Sequence, residues 1–262
     1  MYGYMIKKTL KTILFYIIFI IVWYLLWYFM VEVFGWFKPY VMVSPLEVFR
    51  SMFSLISGSV FWNAVLTSLG RLVLGFVIAV LVSGGLAWIL LTNKFFYKEI
   101  KELISGIQTL PNVCWIPFAI ILCGLGDGAV IFVIVMGASF AMAVSIEGSL
   151  RNVNPIYIKA AKTMGCKRTG IVYHVMIPAA LPNLISALRQ GWAFSWRALM
   201  AGEMLQSSMG LGYLLTYSRE NNDMPQVICI MIVLIVIGAF FEKVVFGMFE
   251  NRVLRRRGLQ EG

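Results

Sequence analysis

NPIYIKAAKTMGCKRTGIVYHVMIPAALP, spanning Asn154 to Pro182, is a polar and basic island between two apolar runs of membrane grade. Asn154 suits a helix N-cap because its side-chain oxygen can accept from a free backbone amide, and Pro155 has the fixed φ and missing N–H that fit the first helical position. Behind that start, Ile156, Tyr157, Ala160, Ala161 and Met164 recur at three- and four-residue spacing. The spacing predicts a short helix with one apolar, small-residue side, while Lys159 and Lys162 project elsewhere. Gly165 supplies the left-handed residue that ends it. A second helical segment is expected over Lys167 to Ile177, interrupted by Pro178 and Pro182. A helix, a tight turn and another helix, carried outside the membrane, form a surface that a partner can read; a plain helical hairpin between two spans has the same spacing.

The rest of the chain places this island in a membrane. Of 262 residues 60% are apolar and 13% charged, far from the balance of about half and a quarter typical of soluble domains. Several spans of about 20 residues fit, with short connections and no room for a large soluble domain. The net charge of +10 lies beside apolar runs rather than on a soluble basic face, which argues for membrane topology over nucleic acid. Cys114, Cys123, Cys166 and Cys229 sit singly, without disulfide or zinc spacing. The first apolar run, Thr12 to Val31, is too long for a signal-peptide core and lacks a small-residue cleavage site, so it reads as a retained helix.

In order, the chain predicts a basic head with Lys7, Lys8 and Lys11, then span one. A loop and an amphipathic helix opened by Ser44-Pro45 follow within Glu32 to Thr67. Span two covers Ser68 to Leu91 and span three lies within Leu103 to Gly126, broken or kinked by Pro111 and Pro117. A tight turn at Gly124 to Gly128 leads to span four, Ala129 to Ile146. Span five is Leu181 to Leu205, Ser207 to Pro225 is a loop, span six is Val227 to Phe249, and Arg252, Arg255, Arg256 and Arg257 close the chain. Lys and Arg mark orientation. The head, the Lys94, Lys98 and Lys101 connection, the island (Arg151, Lys159, Lys162, Lys167, Arg168) and the tail are strongly basic, whereas the opposite side holds Lys38, Arg50, Arg71 and Arg219. Both termini and the island therefore face the cytoplasm.

The island resembles the cytoplasmic coupling loop of ABC-importer membrane subunits, whose motif runs Glu-Ala-Ala, three residues, Gly, nine residues, Ile-x-Leu-Pro. Here the matching residues are Lys159, Ala160, Ala161, Gly165, Val175, Ile177 and Pro178, with Lys159 standing where the family carries Glu. From about Ser44 onward, SPLEVF, TSLGRLVLGFVIAV, LISGIQTLPNVCWIPFAIILCGLGDGAVIFVI, the island and GWAFSWRALMAGEMLQSSMGLGYLL follow the order of the aliphatic sulfonate, taurine and nitrate permease branch. The resemblance implies an all-α integral membrane protein with about six transmembrane helices: residues 1–43 as basic head, first helix and start of an outer loop, and 44–262 as the importer core, with the coupling loop at about 150–182. It implies a homodimer in the plasma (inner) membrane of a prokaryote, two cytosolic ABC ATPase subunits docked through Tyr157, Lys159, Ala160, Ala161, Met164 and Gly165, and an extracytoplasmic solute-binding protein. No catalytic residue, metal or cofactor is expected on this chain. ATP and Mg belong to the partner ATPase, since Gly165 to Gly170 has phosphate-loop glycine spacing but Ile171 and Val172 follow where Lys and a hydroxyl are needed. The implied cargo is a small anion such as an aliphatic sulfonate, taurine or nitrate, with a thiamin-precursor pyrimidine as the alternative on the same machinery. A passive channel and a membrane-embedded enzyme are the readings from other classes, and neither needs a small-residue docking helix.

Five residues are candidates for the solute path: Gln108, Asn112, Ser195, Arg197 and Glu203. An intramembrane guanidinium is costly unless it faces protein or water, so Arg197 either guides an anion or holds a carbonyl or acid on another helix. Six residues apart, it points about 240° away from Glu203 on one helix, so these two do not pair. Glu203 reads either as part of a gate or, preferably, as a residue of the outer headgroup layer. Arg189 is expected to snorkel to a lipid or interface contact, Trp196 to pack, and Gly84-Gly85 and Gly137 to permit close helix approach. His174 lacks acidic or Cys neighbours, and the terminal arginines suit anionic headgroups rather than nucleic acid.

Overall fold

The computed structural model describes residues 2–38, 41–93, 95–206 and 209–256, and among them helix is the only regular secondary structure. Helix α1 (Tyr2–Trp27) continues into a π-helical turn, Tyr28–Val33. Helix α2 (Pro45–Ser57) begins as its sequence dictates: the Ser44 hydroxyl accepts from Glu47 N at 3.3 Å, Glu47 Oε2 accepts from Ser44 N at 3.2 Å, and Pro45 fills the first helical position. Helix α3 (Ser59–Thr92) is 34 residues long, about 51 Å at 1.5 Å per residue, well over the roughly 30 Å of a hydrocarbon core. Helix α4 (Tyr97–Ile107) stops before Pro111. A 3₁₀ turn, Asn112–Trp115, leads into α5 (Ile116–Cys123), with the two halves bent by 98°. Of the break or kink expected in span three the structure takes the break, at Pro111, which removes a donor where the turn must close. Helix α6 (Asp127–Arg151) precedes the island, whose pieces are α7 (Pro155–Thr163), α8 (Arg168–Ile171) and a π-helical turn, Val172–Met176. They are followed by α9 (Ile177–Gln206), α10 (Leu211–Glu220), α11 (Met224–Phe240), a π-helical turn (Phe241–Phe246) and α12 (Gly247–Arg256).

Among the described residues four helical stretches are long and apolar enough to cross a membrane: Ser59–Thr92, Asp127–Arg151, Thr169–Leu205 and Met224–Glu250. The bent pair makes a fifth, and Ile17–Val33 is a shorter apolar helix. Two expectations are corrected. Pro178 and Pro182 do not interrupt the island's second helix, which runs unbroken from Thr169 to Leu205. The π-helical turn immediately before Ile177 widens the backbone where the first proline enters, and further on the Ser186 hydroxyl donates to Pro182 O at 3.3 Å. The region expected as a loop before Pro225 contains α10, whose register Ser218 supports by back-bonding to Leu214 O at 2.8 Å. Ser207 and Ser208 of that loop lie outside the described residues, as do Lys94 and Arg257.

The chain divides into two compact units, Met1–Asn63 with Leu214–Val233, and Ala64–Tyr213 with Leu234–Gly262. In the first, Val31, Val43, Val48, Leu55, Phe61, Cys229 and Ile230 are buried. There Trp27 Nε1 donates to Met42 O at 2.9 Å and Cys229 Sγ to Val48 O at 3.0 Å. In the second, Leu72 of α3, Ile116 and Ala119 of α5, Val130, Val133 and Ile134 of α6, and Trp192, Ala198 and Leu199 of α9 form one core. Lipid tails are as apolar as leucine, so close packing rather than the hydrophobic effect holds such helices together. Gly75 has no room for a methyl, which would sit 2.7 Å from Ile134 Cγ2, and this lets α3 lie against α6. Trp192 stacks edge-on to Phe76 at 5.1 Å and meets Phe241 at 4.8 Å, fixing the last helix to the core.

Candidate functional site

The island forms the predicted helix and turn. Asn154 Oδ1 accepts from Ile156 N at 3.0 Å, Pro155 opens α7, and Gly165 closes it at φ +79° with Cys166 N donating to Ala161 O at 3.0 Å. What the periodicity left open is which way the apolar side points. Only Ala161 of the stripe is buried; Ile156, Tyr157 and Met164 are 67%, 56% and 84% exposed, and Ala160 is exposed with them. At 100° per residue Ile156, Ala160 and Met164 fall on one outward line with Tyr157 beside it and Lys159 at its edge. Lys162 lies on the same flank as Lys159 but about 60° further from the line, where it lines a cleft of about 610 Å³ with Trp88, Leu91, Ile158 and Val172. His174 Nδ1 lies 3.1 Å from Gly170 O, a local contact.

A second cleft, about 420 Å³, gathers Gln108, Thr109 and Asn112 from the break in span three, Gly137 and Ser145 from α6, and Gln190, Phe194 and Arg197 from α9. Three of the five path candidates, Gln108, Asn112 and Arg197, therefore share one wall. The Arg197 guanidinium donates from Nε to Ala193 O at 3.1 Å and lies over the Phe194 ring at 4.7 Å. It is exposed, and no carboxylate lines the cleft among the described residues. Ser145 Oγ donates to Gln190 Oε1 at 2.9 Å, which fixes the Gln190 amide with its NH₂ directed away from Ser145. Asn112 packs so closely on Gly137 that a methyl there would sit 2.6 Å from Asn112 Oδ1. One cation and several neutral donors without an acid make a cleft that favours anions.

Ser195 and Glu203 are not in that cleft. Ser195 is fully buried and its hydroxyl has no hydrogen-bond partner among the described residues. Glu203 is not a headgroup-layer residue: it is 1% exposed, accepts from Ser68 Oγ at 2.7 Å, from Arg71 Nη1 at 2.9 Å and from Gly212 N at 2.9 Å. Arg71 is likewise no flanking cation. It is 7% exposed and also binds Asp127 through Nε at 2.9 Å and the Met209 carbonyl. Ser68 Oγ accepts from Leu211 N at 2.8 Å, so α3, the start of α6 and the segment after α9 are pinned to one carboxylate. Burial of both charges is tolerable because they pair and both carboxylate oxygens of Glu203 find donors. Arg71 and Glu203 stand 132 positions apart, so no local spacing links them; the only signal was that each is a lone charge in an apolar run.

Two further ion clusters were also missed. Glu147, fully buried, accepts from Tyr97 OH and Lys101 Nζ, both at 2.9 Å, with Arg151 Nε at 3.4 Å and the Arg151 guanidinium over the Tyr97 ring at 3.8 Å. This joins α4 to the end of α6 that leads into α7. Arg189 pairs with Glu242 at 2.9 Å and Glu250 at 3.4 Å instead of snorkelling to lipid, because the last helix brings both acids to it. Trp196 packs as expected, over Gly238. Of the small-residue sites, Gly137 is closely approached, whereas nothing lies within 4 Å of a methyl placed at Gly84 or Gly85.

Residues 84–257 match the family model described as binding-protein-dependent transport system inner membrane component. The chain is 32% identical over 204 residues to a Methanocaldococcus jannaschii protein that carries the name of an ABC transporter permease protein, covering 78% of this chain and 74% of that one. It is 23% identical over 209 residues to the nitrate import permease protein of Synechocystis sp., 76% of each, and 23% identical over 188 residues to the taurine transport system permease protein of Escherichia coli, 70% and 68%. Among solved structures it superposes on the MetNI methionine ABC transporter in an inward-facing form with a TM-score of 0.60 at 20% identity, covering 80% of this chain and 98% of that one. An amino acid ABC transporter with histidines gives a TM-score of 0.63 at 18% identity, covering 80% and 99%.

Proposed function

Since this chain belongs to the binding-protein-dependent transport system inner membrane components and is an ABC-importer permease, a transport subunit rather than an enzyme, we propose that it passes a small anion of the sulfonate, taurine or nitrate class. The observation that carries this reading is Arg197 in a cleft with Gln108, Asn112 and Gln190 and without a carboxylate. Relatives named for nitrate import and taurine transport agree with a cargo that carries an anionic group.

In this reading the chain works as a homodimer in the prokaryotic plasma membrane, with Ile17–Val33 belonging to a sixth span and both termini and the island cytoplasmic. An extracytoplasmic binding protein delivers solute. Two cytosolic ABC ATPases, which hold ATP and Mg, dock on the coupling loop of residues 150–182 through Tyr157, Lys159, Ala160, Ala161, Met164 and Gly165. The outward apolar line on α7 supports docking, because exposed apolar surface outside lipid marks a contact site. The unbroken helix from Thr169 to Leu205 is 37 residues, about 55 Å, and carries Gln190, Phe194 and Arg197 on the same rod that begins beside α7. Closure of the ATPases would tilt this rod and change the access of the cleft, with the π-helical turn at Val172–Met176 as the point of give.

The test is uptake of radiolabelled taurine, ethanesulfonate and nitrate by a strain lacking this chain and complemented with it or with Arg197→Gln. A charge-assisted hydrogen bond contributes about 1.5–3 kcal/mol, so the half-saturation concentration should rise by about 10- to 100-fold for the transported anion while membrane abundance is unchanged. Unaltered anion uptake by Arg197→Gln would refute the anion path; flux that persists after ATP depletion would point instead to a passive channel.

A further inference from the structure

We propose that the ATPase surface receiving α7 is acidic, with a carboxylate facing Lys159 beside an apolar groove for Ile156, Ala160, Met164 and Tyr157; this rests on the docking reading above. The island contains Arg151, Lys159, Lys162, Lys167 and Arg168, and no Asp or Glu occurs anywhere between Glu147 and Glu203. Arg151 is engaged by Glu147 and the Tyr97 ring. Lys162 sits in the last turn of α7, where the helix dipole favours a cation, and its stem lines the Trp88 cleft. Lys159 has neither explanation. It lies mid-helix, is exposed, and no carboxylate reaches it among the described residues. Its position at the edge of the outward apolar line means that any body seated on that line covers it.

Covering an ammonium without an opposing charge is costly, so a surface shaped for this line must supply an acceptor of opposite sign. Charges at such a rim act over about 8 Å at physiological ionic strength, which makes the contact salt-sensitive. An anionic membrane surface is the rival occupant. It fits less well, because α7 is only nine residues long and its line is built partly from small residues, Ala160 ending at Gly165, suited to close approach by another backbone rather than to anchoring in acyl chains.

The experiment uses the full complex, isolated in mild detergent from the native cell through a tag on this chain. A water-soluble carbodiimide, which joins an amine to a carboxylate without a spacer, is applied and the peptides are read by mass spectrometry. A cross-link from Lys159 to an Asp or Glu of the ATP-binding subunit is expected. Retention of that subunit should fall at least tenfold in Lys159→Glu at 0.1 M salt, stay near the parent level in Lys159→Arg, and drop for the parent itself at 1 M salt. If Lys159→Glu keeps the subunit with an unchanged salt profile and no cross-link forms, while the triple change Ala160→Asp, Ala161→Asp, Gly165→Asp loses it, docking stands and the acidic partner is wrong. If the triple variant also keeps the subunit, the docking reading fails and this inference with it. Loss in Lys159→Glu of binding to vesicles containing phosphatidylglycerol, with subunit retention intact, would assign Lys159 to lipid and overturn the proposal.

Discussion

Removing the Arg71 side chain beyond its methylenes, as in Arg71→Met, should destabilise this protein more than neutralising its partner does. Glu203 has a side chain with no exposed area, and Arg71 supplies its only cation among the described residues. Deleting one member of a buried pair costs about 3–5 kcal/mol, because the other charge stays buried and uncompensated. Glu203→Gln retains a carbonyl oxygen for Gly212 N–H and Ser68, and leaves Arg71 on Asp127 and Met209 O, so about 1–3 kcal/mol is expected. For a chain of this size each kcal/mol moves the unfolding midpoint by about 2–4 °C, which puts Arg71→Met about 6–20 °C below the parent and Glu203→Gln about 2–12 °C below. The double variant should lose less than the sum, because no lone buried carboxylate remains. Asp127, whose side chain is 69% exposed, should matter little: Asp127→Asn costs at most about 1 kcal/mol. The assay is the fraction of monodisperse protein surviving graded heating, followed by size exclusion in detergent. A midpoint for Arg71→Met at or above that of Glu203→Gln, or strict additivity in the double variant, would refute the reasoning.

Gly165 at φ +79° has open space around it, so Gly165→Ala suffers backbone strain alone, about 1–2 kcal/mol. Gly165→Asn, which tolerates that conformation, should restore ATPase-subunit retention, measured by co-purification. Gly137→Ala places a methyl 2.6 Å from Asn112 Oδ1 and 3.0 Å from Ala198 Cβ; overpacking by about 1–3 kcal/mol and weakened anion uptake should appear together. Lys101→Met leaves buried Glu147 with Tyr97 and Arg151 only, and the same heating assay should register about 1–3 kcal/mol.

What could be read along the chain was local. Apolar runs, the Ser44-Pro45 and Asn154-Pro155 starts, the Gly165 stop and the proline break at Pro111 each depend on residues a few positions apart, and each appears in the fold. The motif order alone placed the chain among ABC-importer permeases, and the family match agrees. Pro178 and Pro182 misled because a π-helical turn upstream, which no propensity announces, absorbs them into one long helix.

Charge was the least legible feature. A lone Arg71, Glu147, Arg189 or Glu203 in an apolar run looks the same whether it faces lipid headgroups, water or another helix. Only tertiary structure brought Glu203 to Arg71 and Ser68, Glu147 to Lys101 and Tyr97, and Arg189 to Glu242, since those pairings join helices distant in sequence. It likewise decided that Gln108, Asn112 and Arg197 share a cleft, that Ser195 does not, and that the small apolar line of α7 faces outward. Sequence by itself determined most helix starts and stops, the membrane class and the permease family, because periodicity, caps and composition act over a few residues and the family's motifs are short runs of sequence. Which charges are paired and which face is left free depend on where whole helices cross, and that is fixed by packing between residues the chain keeps far apart.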